Sequence, residues 1–403
     1  MSRDKNDSSR MLLQAVLDRN LKSVKAALTA GANVNGPPER AFAPIVAAVI
    51  TDNADMVNFL LEKGADPDRP VTKKVALPSF GNGTTTLGER ALHLAARSGN
   101  TDIVRLLLKR ARADPNAPDS TGRTPLLATC DSPGNYCVEV VPLLLEAGAD
   151  PTVANKDGFI PLHFVAKKGH MDLMDMLYSR APATLNRCTS NGMSPLVLAC
   201  GDGRESMVSK LLSLGAMQPM RLDDIRVSPL DCAVFRGFVG VVRVLINAGG
   251  VRGLGGELAL AHALRTAVRY CRARILQLLL AVDGEERRLW WANINIGGMH
   301  LLHFGAAYCS TAAVSILLEA GADERTHDSE GSIPLDVIGA DLGRDGECQM
   351  DRGEEVATRR MLQRGPAYRA RSWAWPSDEE ADAGGSGDGD TAAAAAAAAA
   401  VLS

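Results

Sequence analysis

Residues 158–170 read GFIPLHFVAKKGH. Two histidines, His163 and His170, stand seven residues apart around Lys167 and Lys168. As metal ligands or an acid–base pair they point to an enzyme. As fixtures of a repeating unit they point to a surface that holds other proteins. The rest of the chain decides between these readings, because the stretch has relatives.

RTPLLATCDS (123–132), MSPLVLACGDGR (193–204) and VSPLDCAVFRGF (227–238) share its pattern. Degenerate copies are RALHLAARSGN (90–100), HALRTAVRYC (262–271), HLLHFGAAYC (300–309) and SIPLDVIGA (332–340). A second signature follows each by about twenty residues, as in LTAGANVN (28–35), LLEKGADPD (60–68), LLLEAGADP (143–151) and LLEAGADE (317–324). The proline slot holds Met11, Pro44, Ala91, Pro125, Pro161, Pro195, Pro229, Ala263, Leu301 and Pro334. The intervals are 33 or 34 except for 47, 36 and 38.

Each slot has a physical reason. Thr124, Ser194 and Ser228 stand where a hydroxyl caps a helix N-terminus. Proline follows at the first helical position, where no backbone donor is lost. Eight residues later Gly99, Gly169, Gly203 and Gly237 suit the left-handed turn that ends a short helix. A second helix follows with an apolar face, such as Val140, Val141, Leu144 and Leu145. Gly88, Gly122, Gly158, Gly192, Gly298 and Gly331 then suit tight turns in a returning loop.

A period near 33 with TPLH-like and GADP-like signatures resembles the ankyrin-repeat family over residues 11–365. The resemblance implies an all-α ankyrin-repeat solenoid of about ten helix-turn-helix repeats with hairpin loops. It places His163, His93 and His303 in the fourth slot of the motif, where the family uses histidine to bond neighbouring loop backbone. His170 falls in the turn between helices, a slot that Asn53 and Asn100 share. The family implies no reaction and no cofactor, and a function in protein–protein binding as an adaptor or scaffold.

Composition agrees. Hydrophobic residues make up 46%, charged residues 23% and aromatics only 4%, as expected of a folded protein with a Leu, Ala and Val core. A net charge of −3 argues against a general nucleic-acid binder. Residues 1–10 are polar with no following apolar run, so no leader is expected. No stretch is apolar for the length of a membrane span. An intracellular location, cytoplasmic or nuclear, is expected, with reduced cysteines.

Chemistry-bearing motifs are weak. GxxxxGK[ST], HExxH and GxSxG are absent, so no catalytic, cofactor or metal residues are assigned. His300, His303 and Cys309 come nearest to a zinc set, but each occupies a repeat slot. This metal-dependent reading stays as one alternative. A substrate-recognition subunit of a ubiquitin ligase or another enzyme assembly is a second.

Outward positions of each first helix fall three, six and seven after the proline slot. From the fifth to the ninth repeat they include Phe164, Lys167 and Lys168; Phe235 and Arg236; Arg269 and Tyr270; and Phe304 and Tyr308. Aromatic and arginine side chains dominate binding hot spots. These nine residues are the expected partner surface, and they suit an acidic protein segment with apolar anchors.

Outside the repeats, residues 1–10 read as a polar tail and 366–403 as a disordered acidic and Ala-rich tail. Insertion loops are expected at about 69–88, 284–299 and 341–354, the first of them disordered. Trp290 and Trp291, with Trp373 and Trp375 of SWAWPS, are expected to lie outside the repeat core with at least one pair packed, SWAWP as a docking peptide being the alternative.

Overall fold

A computed structural model describes residues 2–36, 42–74, 76–77, 83–132, 137–217, 228–249, 256–282, 284–339 and 352–363. The chain forms two compact units, 1–288 and 289–403. The first unit is a stack of helix pairs. Its first helices are Ser2–Leu17, Pro44–Ile50, Ala91–Ser98, Pro125–Asp131, Pro161–Lys168, Pro195–Gly201, Pro229–Arg236 and Gly256–Arg269. Their partners are Leu21–Thr29, Ala54–Glu62, Thr101–Lys109, Cys137–Glu146, Met171–Arg180, Glu205–Ser213, Val239–Asn247 and Ala273–Leu280.

Within this unit first helices pack on first helices and second helices on second. No single pair can bury its own apolar face, so each pair depends on its neighbours. Val140, Val141, Leu144 and Leu145 are all buried, as are Cys130 and Cys200 in small-residue slots. Caps form where the slots place them. Thr124, Ser194 and Ser228 accept from the backbone N–H of Leu127, Val197 and Asp231. Asn53 and Asn100 cap the second helices by accepting from Met56 and Ile103 N–H.

Where it is described, the turn after a first helix takes a positive φ. Gly99, Gly169 and Gly237 supply it at 78°, 80° and 83°. Four units carry another residue in the same slot: Arg19, Asp52, Cys271 and Cys309, at φ 51–55°. The loops between pairs are tighter still. A Cβ on Gly158, at φ 83°, would stand 2.9 Å from the backbone nitrogen of Ser190. That nitrogen donates to the Asp157 carbonyl at 2.9 Å, so the close approach links neighbouring loops.

Three expectations change. Residues 2–10, read as a tail, belong to the first helix, and Ser9 is buried with its hydroxyl accepting from Asn33 N–H. The described part of the 69–88 insertion is ordered: Ala76–Leu77 pairs antiparallel with Gly83–Thr84, and Val71 N–H donates to the Glu89 carbonyl at 2.7 Å. Glu89 explains this, since its buried carboxylate accepts from Thr86 N–H and ties the insertion to the helix stack. The 284–299 segment contains the helix Glu285–Ala292 and a short antiparallel ladder, Asn295–Ile296 with Met299–His300.

The second unit has the pair Leu301–Ala307 and Thr311–Glu319, with Arg352–Gln363 packed on the latter. Trp291 is fully buried, in keeping with the expectation that at least one tryptophan pair packs. Trp290 meets it edge-to-face at 4.5 Å and is 48% exposed. The 341–351 insertion, the 366–403 tail and the SWAWPS tryptophans lie outside the described residues.

Candidate partner-binding surface

Of the two histidines that opened the question, His163 is a fixture of the repeat, whereas His170 precedes the helix Met171–Arg180 without a side-chain cap bond. His163 is buried at the first turn of Pro161–Lys168. Its Nδ1 accepts from Ile160 N–H at 3.1 Å. The proton is therefore on Nε2, which donates to the carbonyls of Arg187 at 3.0 Å and Met193 at 3.1 Å. His93 repeats the arrangement, with Arg90 N–H at 3.2 Å and the Arg123 carbonyl at 3.0 Å. Burial pushes both imidazoles down to about 4, against the help of their carbonyl partners. At neutral pH they are uncharged pegs between neighbouring repeats.

The cluster around His300 shares only the carbonyl contact, since His303 Nδ1 is buried without a hydrogen-bond partner. His303 Nε2 lies 3.0 Å from the Ser332 carbonyl, and the two imidazole centres are 5.7 Å apart. Among the described residues no group of three or more His, Cys, Asp or Glu side chains is arranged to hold a metal.

The nine outward residues divide. Phe164 is half-buried and stacks on Phe159 at 5.3 Å. Lys167 beside it is exposed. Lys168 differs: its ammonium donates to the Cys130 carbonyl at 2.6 Å and also to the Ser132 carbonyl. Both carbonyls close the helix Pro125–Asp131, where backbone acceptors lack partners and the dipole favours a cation. Lys168 is thus a cap on the preceding repeat, although spacing placed it on the partner surface.

Phe235 and Tyr270 form one feature. Their rings meet edge-to-face at 4.7 Å and 87°. The Arg269 guanidinium lies 5.6 Å from the Tyr270 ring centre. Arg236 follows Phe235 at the end of its helix and is half-buried. Phe304 and Tyr308, in the second unit, are only 8% and 7% exposed. Their rings fill structure there and offer little face to a partner.

Spacing missed a recurring cation cap. Arg204 Nε donates to the Lys167 carbonyl at 3.1 Å, and Arg272 Nη2 to the Phe235 carbonyl at 2.9 Å. Each comes from the next repeat and reaches the end of the preceding first helix, as Lys168 does. The available signal was a cation at the end of, or just after, a first helix. It also missed the loop pattern D/N-x-x-G: Asp119, Asn155 and Asp328 each accept N–H groups two and four residues on.

Comparison with known proteins decides the family. A family model described as ankyrin repeats in three copies matches residues 74–155, 134–221 and 162–252, and an ankyrin-repeat model matches 42–70. The chain belongs to the ankyrin-repeat family. The helix-pair stack is accordingly an all-α ankyrin solenoid, and ankyrin repeats imply protein–protein interaction. The chain is 35% identical over 44% of its length to the ankyrin repeat and KH domain-containing protein mask-1 of Caenorhabditis elegans. It is 29% identical over 68% to the ankyrin repeat domain-containing protein SAT10 of Stachybotrys chartarum. It is 23% identical over 71% to the E3 ubiquitin-protein ligase KEG of Arabidopsis thaliana. These alignments span only 6%, 13% and 18% of those proteins. Among the described residues no helix is long and apolar enough to cross a membrane.

Proposed function

We propose that the array is an adaptor or scaffold that binds a protein partner through the outward positions of its first helices. The reading rests on the Phe235–Tyr270 ring pair with Arg269 over the Tyr270 ring. Aromatic and arginine side chains on a rigid support are the usual anchors of an interface. Phe164 and Lys167 extend the same chemistry two repeats earlier. An acidic partner segment with apolar anchors complements both groups, in an intracellular setting, cytoplasmic or nuclear.

Recruitment of a substrate to a ubiquitin ligase or another enzyme assembly is a narrower form of this reading. The likeness to KEG favours it, since repeats in such an assembly would select what the enzyme acts on.

The test is a cross-linking pull-down from native extract with quantitative mass spectrometry. Wild type is compared with Phe164→Ala, Lys167→Glu, Phe235→Ala and Arg269→Glu combined. Lys168 is left intact because it caps a helix. With equal helicity by circular dichroism, one set of proteins should be lost from the variant. Retention of every protein by the variant overturns the reading.

A further inference from the structure

The helix Glu285–Ala292 treats its two adjacent tryptophans oppositely. Trp291 is fully buried, whereas Trp290 is 48% exposed and Leu289 beside it 54% exposed. A single exposed aliphatic residue is ordinary, but two large apolar neighbours left in water are informative. The support beneath them is fixed. Trp290 packs edge-to-face on Trp291. Asn293 Nδ2 donates to the carbonyls of Leu289 at 2.9 Å and Gly321 at 3.1 Å, and its Oδ1 accepts from Asp323 N–H at 2.7 Å. A Cβ on Gly321, at φ 92°, would stand 2.7 Å from Leu289 Cδ1. The turn after Thr311–Glu319 is thus fastened against Leu289, and a face held this way has little ordering left to lose when a ligand arrives.

The chain carries a segment of matching chemistry within reach. Thr311–Glu319 packs on Arg352–Gln363. Ten residues beyond Gln363 comes Trp373, in SWAWPS (372–377), outside the described residues. A tether of that length extends to about 33 Å, against about 14 Å for the whole of Thr311–Glu319. It therefore covers either end of that helix, including the Gly321 end where Leu289 lies. Trp373 and Trp375 are two apart, which would put both rings on one side of an extended segment. Pro376 disfavours helix at Trp375.

We infer that Leu289 and Trp290 form the docking site for segment 372–377 of the same chain, which lays Trp373 and Trp375 on this apolar face. Aromatic rings bring the largest apolar area per residue and gain further from edge-to-face contact, which the outer face of Trp290 offers. A short tether holds the segment at an effective concentration of about a millimolar, so that even a weak site is filled. A partner peptide with two aromatics one residue apart must displace it to bind there. The site uses none of the residues of the partner-binding reading and does not depend on it.

The whole chain is compared with its Trp373→Ala, Trp375→Ala variant by NMR, following the indole N–H signal of Trp290. Loss of the tail rings should move that signal, and adding the synthetic peptide RSWAWPS to the variant should return it. In the variant background, Leu289→Ser and Trp290→Ala should each weaken the peptide about tenfold or more. Leu289→Ser keeps the test valid where Trp290→Ala disturbs Trp291, provided thermal unfolding is unchanged. In the wild-type chain the Trp290 signal should stay in place on dilution. A signal that moves on dilution, with a dimer by sedimentation, would assign the site to a second copy and overturn the inference. So would an unmoved Trp290 signal in the tail variant, or equal peptide binding with and without Leu289→Ser.

Discussion

His163 Nε2 donates to the carbonyl of Met193, thirty residues on, across 3.1 Å. That bond needs a neutral ring whose other nitrogen accepts from Ile160 N–H. A protonated ring would donate from both nitrogens and set an N–H against Ile160 N–H. The folded state lowers this pKa from 6.5 to about 4, so the unfolded chain binds more protons between those values. Stability is therefore full above about pH 6.5 and falls as pH drops toward about 4, by roughly 3 kcal/mol for a shift of this size. Glu89 and Asp231, raised by burial, work in the opposite direction at the acid end. The comparison of wild type with His163→Gln isolates the effect. Urea unfolding at pH 7.5 and pH 5 should show a smaller pH-dependent loss in the variant. Equal losses would remove the neutral peg from the explanation.

Lys167 and Lys168 are neighbours with opposite duties. Lys168 caps the helix Pro125–Asp131 through the carbonyls of Cys130 and Ser132, and Lys167 is exposed. Lys168→Ala should cost about 1–2 kcal/mol, the range of a charged hydrogen bond at a helix C-terminus. Lys167→Ala should stay within about 0.5 kcal/mol of wild type. Denaturant midpoints of the two single variants check this, and equal midpoints would count against the cap.

The repeat was legible because its constraints are local. A capping hydroxyl, a proline with no donor to lose and a glycine at positive φ each announce themselves by residue type. Spacing then set the register. Side-chain reach is not local, and there spacing failed. Lys168 occupies an outward slot, yet its four-carbon stem carries the ammonium back to the previous repeat. Phe304 and Tyr308 occupy outward slots too, but they are buried in their own surroundings. The 69–88 insertion reads as a long disordered loop, yet Glu89, a charge whose burial no local pattern announces, ties Thr86 to the stack. The Phe235–Tyr270 contact was half-visible. The slots placed both rings on one surface, and the structure adds their edge-to-face meeting.

Cys271 sits at φ 53° in a slot where other repeats have glycine. A left-handed conformation costs a residue with a Cβ roughly 1–2 kcal/mol, partly offset by the freer unfolded chain that glycine brings. Cys271→Gly should therefore be neutral or stabilising by up to about 1 kcal/mol, opposite to the usual effect of introducing glycine. Gly169→Ala should lose about 1–2 kcal/mol, because φ is 80° and Arg204 Cδ would lie 3.2 Å from the new Cβ. Thermal unfolding of both variants tests the pair. A clear loss in Cys271→Gly would show that the slot does not govern that turn.

Glu89 is a fully buried carboxylate with Arg97 at 3.5 Å and Arg123 at 3.9 Å. Burial pushes its pKa up, and Arg97, Thr86 N–H and Arg123 pull it back. Truncation to alanine would take this carboxylate from Arg97, only 17% exposed, whereas Arg123 keeps Asp119 at 3.1 Å and Asp131 at 3.4 Å. Glu89→Ala should cost about 3–5 kcal/mol, as expected when one partner of a buried pair is removed. The insertion hairpin should loosen with it, since Thr86 N–H loses its acceptor. The double variant Glu89→Leu with Arg97→Met replaces the pair by apolar groups and should recover much of that loss. Hydrogen exchange at Thr86 and unfolding midpoints of the three proteins provide the check. A double variant no more stable than Glu89→Ala would mean that the carboxylate serves the hairpin alone, and that its pairing with Arg97 contributes little.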